Sequence, residues 1–137
     1  VIYALLGAVL ALPYAFLSLR QAQPERWLGV GLLLAALVYV LAAFTRWDSQ
    51  YWLMLDGSLF LLMAFLVRKA WRGSLLWLAA GWLIHAAWDH FIHGHPLSAA
   101  ISPVPAWYPP LCLGFDMVCA GAALYAWSKQ RGALASA

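Results

Sequence analysis

Residues 27–44 read WLGVGLLLAALVYVLAAF, eighteen residues without a charge. A helix of that length rises about 27 Å at 1.5 Å per residue, close to the thickness of a bilayer's hydrocarbon layer. Comparable runs occupy 2–19, 51–67, 75–92 and 111–127. Hydrophobic residues make up 66% of the 137, charged residues 9%, and mean hydropathy is +0.80, a balance that a water-soluble core of this size does not need. The chain therefore reads as a single all-α integral membrane domain, residues 1–137, with five transmembrane helices. Asp56 and Ser58 interrupt the third run, so the alternative is four spans plus an interfacial helix over Trp47 to Leu55.

The basic residues orient the bundle. With five spans, Arg20 and Arg26 fall in the first connection, Arg68, Lys69 and Arg72 in the third, and Lys129 and Arg131 after the last span. All of them share one side, and only Arg46, beside Asp48, falls on the other. Basic residues mark the cytoplasmic face, which puts the N-terminus outside and the C-terminus in the cytoplasm. The expected location is the inner (plasma) membrane of a bacterium. The net charge of +3 belongs to this anchoring by lipid headgroups, and no nucleic-acid partner is expected.

Trp27, Trp47, Trp52, Trp71, Trp107 and Trp127 lie near span ends, as an aromatic belt would place them, while Trp77, Trp82 and Trp88 suit packing or pocket walls. Small residues such as Gly29, Gly31, Ala35, Ala36, Gly114 and Gly121 suit close helix packing. Residues 93–110 hold five of the seven prolines and read as a non-helical outer cap. Cys112 and Cys119, seven apart on one helix and so separated by about 10 Å, cannot bridge each other.

The chemistry gathers at residues 85–96, HAAWDHFIHGHP, which contain all four histidines. His85, Asp89 and His93 recur at every fourth residue and share a helix face, with His90 offset and His95 beyond the helix terminator Gly94. Asp56, Asp89 and Asp116 lie at nearly the same depth when counted from the outer side. A carboxylate facing lipid is costly, so these acids are expected to converge in one pocket that opens outward, with Cys112, Asp116 and Cys119 on a common arc of the fifth helix. No Lys or Arg lies in this layer except Arg46 at its surface. A cation, shared protons or a histidinium has to balance the pocket.

Imidazole and carboxylate together suit a divalent ion such as Zn, Cu, Fe or Mn. The expected ligands are Asp89, His93, Asp116, His90, His85 and Asp56, with Cys112 a weaker candidate, and Asp56 and His85 are candidates for proton transfer. A haem or pigment fits less well, because all the histidines lie on one helix or just after it, though His85 alone suits a single axial contact. No phosphate loop, nucleophile elbow or Ser/His/Asp set is present. The leading expectation is thus a small membrane protein with an outward His/Asp site that binds a divalent metal or small cationic ligand. The alternative is an accessory or structural subunit of a larger membrane complex or a homo-oligomer. A proton-coupled carrier is disfavoured, because the inner halves of the spans offer no polar path.

Overall fold

The computed structural model describes residues 1–45, 50–99 and 101–135, and the chain is helical almost throughout. The elements are α1 (Ile2–Leu19), α2 (Pro24–Phe44), α3 (Gln50–Arg72), α4 (Leu76–Trp88), a π-helical turn (Asp89–His93), the single-turn α5 (Pro96–Ala99) and α6 (Tyr108–Ala135). No strand occurs among the described residues. Four of the helices, α1, α2, α3 and α6, are long and apolar enough to cross a membrane. α4 has 13 residues and runs directly into the 5 of the π turn, so the helical stretch is continuous from Leu76 to His93.

Several boundaries differ from the sequence reading. α3 continues to Arg72 and α6 to Ala135, beyond the apolar runs, because charged side chains at a helix end reach water while their backbone stays helical. α6 also starts earlier, at Tyr108, with Pro109 and Pro110 in its first turn, where no intrahelical N–H is required. The proline-rich cap is therefore shorter than 93–110 and includes the turn of α5. Residues 50–55 form one unbroken helix with 56–72, not a separate interfacial segment, while Arg46, Trp47 and Asp48 lie outside the described residues.

α1 packs chiefly on α6, α4 on both α6 and α3, and α2 on α3. Tyr3 lies against Trp107 and Tyr14 against Phe115, so α1 and α6 run in the same direction. Their backbones approach through glycine. A Cβ on Gly7 would collide with the Leu111 carbonyl, and one on Gly114 with the Ala4 carbonyl. Gly29 and Gly31 likewise admit Trp71 and Tyr14, whereas Gly121 faces open space and has no packing role. Tyr14 Oη donates to the Trp27 carbonyl (2.5 Å) and Trp71 Nε1 to the Glu25 carbonyl (3.0 Å), joining α2 to α1 and α3.

The core between the helices is apolar: Leu28, Leu32, Met63, Val67, Leu78 and Trp82 are all but inaccessible. The tryptophans divide differently from the sequence expectation. Trp27, Trp71 and Trp107 are exposed as belt residues should be, and Trp82 is core. Trp52 instead is buried beside the histidines, because α3 turns it inward, and Trp77 is exposed.

Candidate metal centre

The π turn shapes the site. Its closing bond runs from Gly94 N to the Asp89 carbonyl (2.7 Å), five residues back, instead of the four of an α-helix. A Cβ on Gly94 would come within 2.9 Å of the carbonyl oxygens of both Asp89 and His90, so a residue without a side chain closes the turn. The wider turn alters the angular offset between Asp89 and His93. The residues that a regular helix would stack on one face are thereby divided between α6 on one side and α3 on the other.

The first group faces α6. His85 Nδ1 is 2.7 Å from Asp116 Oδ2 and 3.5 Å from Asp89 Oδ2, and all three side chains are buried. A carboxylate accepts, so without a cation between them His85 Nδ1–H donates to Asp116. Among the described residues, His85 Nε2, both oxygens of Asp89 and Oδ1 of Asp116 have no hydrogen-bond partner, the 3.5 Å approach of Asp89 Oδ2 to His85 Nδ1 being an ion-pair contact. Tyr39, buried on α2, sets its ring edge against His85 (centroids 5.8 Å apart), and its hydroxyl also lacks a partner.

The second group faces α3 and is nearly complete in itself. His93 Nε2–H donates to Asp56 Oδ1 (2.9 Å), which also accepts from Trp88 Nε1–H (3.2 Å). On the other edge of the ring, Nδ1 pairs with Ser102 Oγ (2.9 Å), which in turn accepts from Val104 N–H (3.4 Å). The ring is stacked between Tyr39 and Trp52, with centroids at 4.3 and 4.7 Å and interplanar angles of 29° and 28°. His93 is fixed on both edges and both faces. Only Asp56 Oδ2 is left without a partner.

The sequence-derived candidates thus separate. His85, Asp89 and Asp116 come together, each offering a donor atom within 4.8 Å of the others, and this is the group that could hold a metal ion among the described residues. His93 and Asp56 pair with each other. His90 is exposed, as is His95, whose Nδ1 accepts from Leu97 N–H (3.3 Å). Cys112 and Cys119 are buried free thiols outside the triad. Sequence reasoning placed Trp88 among packing or pocket-wall residues, where its bond to Asp56 puts it, and missed Tyr39, Trp52 and Ser102. Trp52 was read as a belt residue because it is near a span end.

A cavity of about 210 Å³ reaches one member of the triad, Asp89. Asp89, His90 and His93 form one wall, and Ala106, Pro109 and Leu113 contribute to the other. Compared with known protein families, characterised proteins and solved structures, the chain matches none. What defines it is an all-helical bundle with membrane-length helices and a buried His/Asp triad at the end of α4.

Proposed function

We propose that this chain is a five-span membrane protein whose His85/Asp89/Asp116 triad binds a divalent transition-metal ion from the outer face. The observation that carries the reading is the convergence of buried ligand atoms: His85 Nδ1 stands 2.7 Å from Asp116 Oδ2 and 3.5 Å from Asp89 Oδ2, and the other oxygen of each carboxylate has no hydrogen-bond partner among the described residues. Native proteins rarely leave such atoms unpaired, and a buried ionised carboxylate without a partner is especially costly. A cation that takes the place of the Nδ1 proton between the three side chains binds one atom of each. Donor atoms on a zinc-sized ion stand about 3 to 3.5 Å apart, as follows from metal–ligand distances of about 2.0–2.2 Å, so the observed group needs only a small contraction. A three-residue ligand set leaves one coordination position for water or a substrate, which the 210 Å³ cavity can supply. Asp56 and His93 then act as a neighbouring clamp instead of as ligands.

The parallel course of α1 and α6 supports five crossings, since the first and last helices of a four-span bundle run in opposite directions. The apolar core between the triad and the α3–α4 turn supports a closed site over a transport path. The test is elemental analysis of protein purified without chelator. We expect about one equivalent of a transition metal in wild type, loss of it in His85→Gln and Asp89→Asn, and retention in His93→Gln. Metal-free wild type whose thermal midpoint does not shift on adding Zn²⁺, Cu²⁺, Fe²⁺ or Mn²⁺ would sink the proposal.

A further inference from the structure

At the other end of α4 the α3–α4 corner holds a second built feature. Arg68, Lys69 and Arg72 of α3, with Phe65, Gly73 and Trp77, line a groove of about 560 Å³. No acidic residue lines it, and none of the three cations forms an ion pair among the described residues. Lys69 Nζ lies 5.5 Å from the Phe65 ring centroid, and Phe65 and Trp77 are 52% and 43% exposed. The groove therefore combines unneutralised positive charge with aromatic walls that continue onto the exposed apolar side chains Leu61, Leu62 and Leu76.

Backbone groups do not make this an anion site. The first N–H groups of α4 are engaged, Leu76 N with Ser74 Oγ (3.3 Å) and Trp77 N with Ser74 O (3.1 Å), and the carbonyl end of α3 opposes negative charge. Any attraction comes from the three side chains. The adjoining groove, about 500 Å³ and lined by Gln23, Glu25, Arg26, Val30 and Trp71, lacks this character because Glu25 stands against its one cation.

We propose that the Arg68/Lys69/Arg72 groove binds the phosphate group of an anionic phospholipid, with the acyl chains lying along Phe65 and Trp77. A free phosphate ion would use the cations and leave the aromatic walls idle, whereas a diacyl phosphate engages both. This is a discrete site, in contrast to the diffuse headgroup attraction of the remaining basic residues. It rests on the membrane crossing of α3 and α4 and is independent of the metal.

The test is native mass spectrometry of the intact protein released from micelles doped with equal amounts of phosphatidylglycerol and phosphatidylcholine. We expect one retained phosphatidylglycerol adduct. Replacing Arg68, Lys69 and Arg72 by Gln should lower its occupancy by at least about tenfold. The control, Arg20, Lys129 and Arg131 each changed to Gln, removes the same charge and should change occupancy by less than about twofold. Trp77→Ala, which keeps every charge, should weaken retention while preserving headgroup preference. Equal loss in both triple variants, equal retention of phosphatidylcholine, or displacement by millimolar inorganic phosphate would overturn the proposal. Metal content should be the same in all these variants, which separates this result from that for the triad.

Discussion

Asp89 and Gly94 sit at the two ends of one hydrogen bond, and they make opposite demands on the chain. Asp89 is a buried carboxylate with no hydrogen-bond partner, a group that stabilises the fold only when something positive occupies the space beside it. Asp89→Asn should therefore abolish metal binding and yet, in the presence of chelator, melt no lower than chelated wild type. Differential scanning fluorimetry with and without chelator makes that comparison; a midpoint several degrees lower under both conditions would mean that the carboxylate is held by protein contacts. Gly94→Ala forces a Cβ to within 2.9 Å of two carbonyl oxygens that cannot move independently of the π turn. It should cost about 1–3 kcal/mol, the usual range for overpacking, measured by chemical denaturation in detergent. The sequence revealed His85, Asp89 and Asp116 as candidates because polar residues in an apolar span are conspicuous. It did not separate them from His93 and Asp56, since the assumption of 3.6 residues per turn fails where five-residue hydrogen bonding begins, and residue types do not announce that change.

At the scale of helices, His93 is a cross-brace between the π turn, α3 and the outer connection through Ser102, while the rings of Tyr39 and Trp52 close its faces. Breaking a buried hydrogen-bonded pair from one side leaves the other member uncompensated, typically at about 3–5 kcal/mol. His93→Gln and Asp56→Asn should each approach that loss, and a variant with both residues made Leu should lose less than the two singles combined, a coupling that a double-mutant cycle reads directly. The α1–α6 contact depends on missing side chains instead. Gly7→Leu and Gly114→Leu should each separate the helices and lower the thermal midpoint, whereas Gly121→Leu, directed into open space, should leave it within about 0.5 kcal/mol of wild type. A difference of that size between Gly114 and Gly121 was not legible in the sequence, where the two glycines occur seven apart on the same helix. Apolar length located the helices that are long enough to cross a membrane; the helices themselves run on past the apolar runs to Arg72 and Ala135, where long charged side chains allow the backbone to continue.

For the whole molecule, the distribution of Lys and Arg and the parallel course of α1 and α6 both favour the proposed five-span topology. A cysteine replacing the exposed Leu97 should be labelled by a membrane-impermeant thiol reagent added outside intact cells, and a reporter fused after Ala137 should be active in the cytoplasm. Labelling of position 97 only after lysis would invert the bundle. Composition made the all-helical bundle with helices of membrane-crossing length legible; which helices touch was not, because lipid-facing and helix-facing apolar surfaces use the same residue types. The pairing of the first helix with the last has a consequence in the order of synthesis. α1 leaves the ribosome well before its main neighbour α6, and His85 is made some thirty residues before Asp116, the carboxylate that accepts its hydrogen bond. A chain that stops before Tyr108 therefore leaves the α1 face around Gly7 uncovered and His85 without its acceptor, so both α1 and α4 wait on α6 for their closest partners.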